Sequence, residues 1–327
     1  MKRKVLRRLL AGLAVLVLVF RMGFLLYFGD FYHKAERAFQ VPGLDSDFIP
    51  QGIESFGDGF LISGYLSRSG RARLYHVDAM GNAGALRLLR EDGSALSCHA
   101  GGVTAVGEFV YLVGGSQCYV FSAEEVSDWD RKSVTALGSF ATQNRASFCC
   151  IWGDGLLVGE YAMGERYFTP ESHHIVTASG EENAAMAMVF PLDDTAPLGV
   201  LEKPAAAVSM PERIQGLSLT NDGRIVLSAS AALGVSQLYL YDAALVENGT
   251  LRRFHWPNGT SIPLYCFDGD ARLETLYLPP QTEETTFRGG KLYVLFESAS
   301  FRFQYGKLVG ADSVYRMPLP EWNSPAK

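Results

Sequence analysis

The stretch Arg213–Asp242, RIQGLSLTNDGRIVLSASAALGVSQLYLYD, reads as three short strands in succession. Ile214–Leu219 runs into Asn221-Asp222-Gly223, Arg224–Ser230 follows that turn, and Ser236–Asp242 follows a glycine-containing loop. Asn/Asp-Gly pairs between β-rich runs mark hairpins, because glycine takes the positive φ that such turns need. The same order recurs four more times. Gln51–Asp78 gives QGIESFGDG, FLISGYL and RLYHVD; Ala100–Ala123 gives AGGVTAVGE, FVYLVGG and CYVFSA. Ser147–Ala178 gives SFCCIWGDG, LLVGEYA and HHIVTA; Glu284–Leu319 gives ETTFRGG, KLYVLFES and SVYRMPL. Starts lie about fifty to seventy residues apart, the period of β-propeller blades. A sheet of this size cannot cover its own faces, so it is stable when stacked around an axis. The expected fold is an all-β propeller, with five blades favoured and six left open.

The chain of 327 residues is within reach of one large all-β domain, and 48 % apolar content is ample for a core. A net charge of −6 argues against nucleic acid, since phosphate binding needs a basic face. Five cysteines cannot all pair within one chain; Cys98 and Cys118 flank one hairpin and are a candidate bridge, while Cys149 and Cys150 read as neighbouring free thiols ahead of a strained vicinal link. Neither CxxC nor His/Cys metal spacing occurs.

The first residues differ from the rest. Lys2, Arg3, Lys4, Arg7 and Arg8 precede the apolar run Leu9–Phe20, and after Arg21 the apolar character continues through Met22–Phe28. That span matches the roughly 20 residues needed to cross a bilayer, and no small-x-small cleavage motif follows. The expectation is an uncleaved signal anchor over 1–29 with its basic end in the cytoplasm. A linker follows over 30–45, then the propeller over 46–320 and a tail over 321–327. The protein is thus expected at the cell membrane, single-pass, with the propeller extracytoplasmic; a cleaved secreted form is the runner-up. Ala38–Val41 is a candidate strand for the last blade, because a ring left open exposes two edges.

Outer strands are expected at Leu86–Arg90, Val134–Phe140 and Met186–Leu192, with Asp194–Met210 a loop. Asn248-Gly-Thr and Asn258-Gly-Thr are formal glycosylation acceptors that read first as turns.

In a propeller the first strand of each blade lines the axial channel. Gln51, His99, Gln215, Glu283 and Glu284 hold equivalent places at the starts of four first strands and form the candidate ligand-binding ring. Glu160 in LLVGEY and Glu297 in YVLFES each end a strongly apolar run. With Glu284 they are the candidate catalytic carboxylates, suited to acid–base work on a glycoside or to calcium chelation with backbone carbonyls. No cofactor is expected, and calcium is the one metal left open. His173-His174 read as surface residues rather than ligands, and the aromatic run Phe301-Arg302-Phe303-Gln304-Tyr305 as packing between blades. No Gly-x-Ser-x-Gly elbow, P-loop, dinucleotide fingerprint or His-Glu-x-x-His occurs.

The QG(I/L)…DG pattern at Gln51 and Gln215, His99-Ala-Gly-Gly-Val, and Leu292-Tyr-Val-Leu-Phe-Glu-Ser resemble those of uncharacterised secreted and membrane-anchored bacterial β-propellers. That group is loosely similar to the gluconolactonase-like propeller superfamily. The resemblance spans about Phe48–Leu319 and is structural; the lactonases' calcium and catalytic acid pattern does not match residue by residue, so their activity is not implied. The leading expectation is binding of a polar ligand, such as a small molecule or glycan, at the channel mouth. A hydrolase of carbohydrate or lactone using some of His99, Glu160, Glu284 and Glu297 is the alternative, and a scaffold for a protein partner the third.

Overall fold

Gly57, Gly107, Gly153, Gly223 and Gly289 carry φ of +55°, +57°, +55°, +87° and +58° at the five hairpins that the repeats place there. The computed structural model describes residues 2–248, 252–256 and 259–322. Among these the chain is mostly strand, with one long helix at its start and a few short ones. The tail beyond residue 322 lies outside the described residues, as do Gly249 and Thr250 of the first glycosylation triplet and Asn258 of the second.

Helix α1 (Lys2–Tyr27) has 26 residues, about 39 Å at ~1.5 Å per residue. It is long and apolar enough to cross a membrane, as a signal sequence also is. After α2 (Gly29–Lys34) comes β1 (Glu36–Gln40). Strands β2 (Phe48–Phe56), β3 (Gly59–Leu66), β4 (Ala72–Val77) and β5 (Ala83–Leu89) pair in sequence order. Next, β6 (Gly102–Val106) pairs with the first part of β7 (Phe109–Ser122), and β7 beyond Gly115 pairs with the start of β9 (Gly138–Trp152). Between them, α3 (Ala123–Ser127) precedes β8 (Ser133–Thr135), which joins β5 in parallel.

The end of β9 opens a third group with β10 (Gly155–Glu160), β13 (Ala185–Pro191) and β14 (Ala206–Met210), while β11 (Ile175–Val176) and β12 (Glu182–Asn183) form a ribbon apart. A fourth group holds β15 (Ile214–Leu219), β16 (Arg224–Ala229), β17 (Ser236–Asp242) and β20 (Arg272–Leu278). Its insertion carries α4 (Ala243–Glu247), β18 (Arg252–His255) and β19 (Ser261–Cys266), and β19 pairs in parallel with β14 of the preceding group. The last group is β21 (Thr282–Arg288), β22 (Lys291–Phe296) and β23 (Ser313–Met317), with α5 (Tyr305–Val309) before β23. Strand β1 completes it, Glu36 facing Arg316 and Gln40 facing Ser313.

Strand alternation explains how the groups pack. Ile225 and Leu227 of β16 enter the core shared with Leu157 and Phe148, whereas Val226 enters the one shared with Leu292, Val294 and Phe296. In β3, Leu61 joins Val103, Leu112 and Phe121, while Phe60 and Ile62 join Leu295 and Val314. Both faces of these strands are therefore covered, and β10 and β16 are buried at every position. The inner strands touch in the order β21, β2, β6, β9, β15 and again β21. This is a propeller arrangement.

Four expectations change. The third unit's third strand is Ala185–Pro191, not His173–Ala178, because AMAMVFP can be buried on both faces while the histidine stretch is polar. Its outer strand is Ala206–Met210, inside the expected loop; small side chains let that strand lie close beneath β19. Val134–Phe140 is divided between β8 and β9. Cys98 and Cys118 are free thiols. They lie on opposite faces of their sheet, Cys118 in the core with Tyr111 and Phe140, and Cys98 against the one with Leu96 and Tyr119.

Candidate functional site

The inner strands begin irregularly. Register breaks lie between Pro50 and Gly52, between Ile214 and Gly216, and between Thr282 and Thr285, which is where Gln51, Gln215, Glu283 and Glu284 sit. Bulges of this kind re-aim a side chain out of the ladder. Ala100, Arg213 and Gln281, which precede three of these strands, have φ of 49°, 69° and 66°, and Ala299 has 79°. Non-glycine residues are held there at a cost of about 1–3 kcal/mol each. Backbone bonds enforce them: Arg213 donates to Ala162 at 2.9 Å, Ser230 donates to Arg213 at 2.9 Å, and Glu297 donates to Gln281 at 2.8 Å.

Glu284 points inward to the axis. Its carboxylate accepts the backbone N–H of Ile53 (3.0 Å), Val103 (3.3 Å) and Cys149 (3.4 Å), one from each of three other groups. Glycines make the room. A Cβ on Gly216 would lie 2.6 Å from Glu284 Cα, and one on Gly52 would lie 2.8 Å from Glu284 Oε2. Burial pushes the Glu284 carboxyl well above the usual carboxylate range; the three N–H donors pull it down and nearby Glu54 pushes it up. One step further along, Glu54 accepts from Ser55 N (2.7 Å), Thr104 Oγ1 (3.0 Å) and Thr286 Oγ1 (3.2 Å), and burial raises it to about 7.

The other carboxyls lie at the end where the inner strands begin, opposite the hairpin turns. Glu283 is buried and accepts from Gln215 Nε2 at 3.4 Å. Burial raises it well above the usual range, and the neighbouring Glu297 and Glu284 raise it further. Glu297 is pushed up to about 7 by burial, against the pull of Arg302. The Arg302 guanidinium lies 5.7 Å over the Tyr65 ring, and the His99 ring lies 4.6 Å from the same tyrosine. His99 is lowered to about 4 by burial, then by Arg302 and Arg145, so it is neutral at pH 7. Tyr305 donates to Gln281 Oε1 (2.9 Å), and Tyr161 donates to the Ser230 carbonyl (3.0 Å) with Tyr167 5.2 Å from its ring. Gln51 turns its amide onto the Pro50 carbonyl at 2.7 Å.

Glu160 goes elsewhere. It shares the strand face of Val158 and meets His173 Nδ1 at 2.6 Å and Met186 N at 2.9 Å. His173 is buried, its ring 5.8 Å from Phe254, which corrects the expectation of a surface histidine. A carboxylate facing a core needs a partner, and His173 supplies it. Beside them Asn144 Nδ2 donates to the Val158 and Met186 carbonyls.

The candidates therefore divide. Glu283, Glu297, Gln215 and His99 belong to one end, Glu284 lies deeper on the axis, and Glu160 is held between sheets. Sequence reasoning missed Tyr65, Arg302 and Glu54; the last had a signal, since alternation puts it on the same inward face as Gly52. Among the described residues no group of three His, Cys, Asp or Glu is placed to hold a metal ion, so calcium gains no ligand set. A cleft of about 320 Å³ lies at the far end, beside the β9–β10 turn, lined by Trp152, Asp154, Val208 and Tyr265.

No protein-family model and no curated protein matches the chain. Solved structures similar to it include the PQQ-bound form of an aldose sugar dehydrogenase from Streptomyces coelicolor (11 % identity, 86 % of this chain and 95 % of that one, TM-score 0.46). Another is an oxidoreductase of glucose dehydrogenase type from Thermus thermophilus (13 %, 87 % and 99 %, 0.43). A third is BamB from Moraxella catarrhalis (11 %, 88 % and 88 %, 0.35). These are propeller-type proteins, and the chain is loosely similar to them.

Proposed function

We propose that the chain is a membrane-anchored, extracytoplasmic five-bladed propeller that binds a polar, hydroxyl-bearing ligand, carbohydrate being the class that fits, at the open end of its inner strands. Five blades are supported by the cyclic order of inner-strand contacts and by five cores, each shared between neighbouring groups. In this count β9 ends one blade and begins the next, and β1 closes the last. The basic residues in the first turns of α1 favour a cytoplasmic N-terminus and so an outward propeller.

The observation that carries the binding reading is Glu283. It is a buried carboxyl beside a second carboxyl, and among the described residues no Lys, Arg or His pairs with it. Gln215 donates to one of its oxygens, and ligand hydroxyls can pair with the other. His99, backed by Tyr65, offers a ring face, while Arg302 and Gln215 offer further donors. The test is saturation-transfer NMR with a panel of mono- and disaccharides on the full chain and on Glu283→Gln. A saccharide that binds the parent and is weakened at least tenfold in the variant supports the reading; a panel that nowhere binds, or binds both equally, contradicts it.

One observation favours a hydrolase as second reading. Glu297, raised to about 7 beside the more strongly raised Glu283, can exchange a proton near neutral pH. In that reading Glu297 and Glu283 do the acid–base work, and Glu160 and Glu284, already tied by His173 and by three backbone N–H groups, do not.

A further inference from the structure

At the far end four inner hairpins carry Asp58, Glu108, Asp154 and Asp222, and the fifth carries Arg288 and Lys291. At the open end the loops carry both signs, with Arg68, Arg145, Arg302 and Lys307 among Asp45, Asp47, Glu91, Asp92 and Asp312. Large apolar side chains stand out from the same loops in three successive groups: Phe168 (79 % exposed), Leu233 (64 %), Phe301 (42 %) and Leu308 (41 %). Arg68 lies 5.1 Å over the Phe301 ring, pairing cation and apolar tip.

Helix α1 attaches at this end. Phe24 packs in the core that holds Val309 and Tyr305, and α1 lies against α5. Tyr305 of α5 is the residue that reaches Gln281 at the start of an inner strand. Tyr32, just after α1, donates to the Val309 carbonyl at 3.0 Å. Phe24 and Leu25, in the last turns of α1, are partly covered, so α5 lies beside the end of the apolar span. A bilayer crossed by α1 then meets the open-end loops.

We infer that the open-end rim of the propeller rests on the lipid surface that α1 crosses. Phe168, Leu233, Phe301 and Leu308 enter the interfacial zone. The inner hairpins point away. The mouth with Glu283 and Glu297 then opens onto headgroups, so a ligand carried by a lipid reaches it directly. This rests on α1 being kept as an anchor and is independent of whether a free sugar binds.

The test uses the full chain in vesicles of phosphatidylcholine and phosphatidylglycerol (3:1) with brominated acyl chains, which quench tryptophan on contact. Leu233→Trp and Phe301→Trp replace exposed apolar residues and Asp58→Trp marks the far end, each read as the difference from the parent with its four tryptophans. Quenching of the added tryptophan at 233 and 301 at least threefold that at 58 is expected, together with a blue-shifted emission. Equal quenching at all three positions overturns the inference, as does a chain that alkaline carbonate extracts from the vesicles. Saccharide binding in detergent is measured alongside, so that loss of one result leaves the other legible.

Discussion

The carboxylate of Glu284 accepts the backbone N–H of Ile53 at 3.0 Å, joining the last group of strands to the first across 231 residues of sequence. The same side chain holds Val103 and Cys149, so one buried acid satisfies three inner strands at the point where glycines bring them close. It fastens the axis.

Glu284→Ala leaves those three N–H groups without their acceptor and opens a cavity. A loss of roughly 3–5 kcal/mol is expected from such a site, read as the urea midpoint of the full chain. Glu284→Gln keeps one acceptor oxygen and should lose less than half of that. A midpoint unmoved by Glu284→Ala contradicts the fastening role.

His173→Ala removes the partner of a buried carboxylate. Removing one hydrogen-bond partner of a buried polar group costs about 1–3 kcal/mol. Thermal unfolding should show that cost, and saccharide binding by the folded variant should stay within about twofold, a factor worth well under 1 kcal/mol. A large binding defect in folded protein would place Glu160 in the site after all.

Glu54 sets a pH dependence. Its ordinary value is 4.5 and its folded value is about 7, so between those pH values the folded chain holds a proton that the unfolded chain has released. Its contribution is complete below about 4.5 and is lost as pH rises through about 7. Glu54→Gln should flatten this part of the stability curve between pH 5 and about 7.5. An unchanged slope in the variant counts against the assignment.

Phe31 sits between Phe296 and Tyr315, at 5.7 and 5.3 Å between ring centroids, and is buried. Phe31→Ala should cost about 3–5 kcal/mol. A chain shortened to begin at Ala38 should be destabilised as well, because it loses α2 and half of β1. A soluble form should begin before Gly29.

Much of the fold was legible because turns and alternation are local. The Asn221-Asp222-Gly223 turn and its four counterparts mark every inner hairpin, and Ala38–Val41 anticipated the strand now seen at Glu36–Gln40. Outer strands were harder. Ala206–Met210 is small and follows Lys203-Pro204, so nothing local announces a strand that exists because β13 and β19 flank it. At the site, the repeat positions led to Gln215, Glu283 and His99. They could not tell Glu283, which meets Gln215, from Glu284, one residue on, whose side chain turns to the axis. That difference comes from the bulge between Thr282 and Thr285. The Glu160–His173 pair depends on a fold-back over thirteen residues that no period marks.

The most direct measurement is a crystal structure of the full chain with the saccharide that binds best. Ligand density is expected at the open end, with hydroxyls in hydrogen-bond range of Glu283 and Glu297 and a ring face against His99. Density instead in the far-end cleft beside Trp152 and Tyr265, with Glu283 and Glu297 untouched, would contradict it.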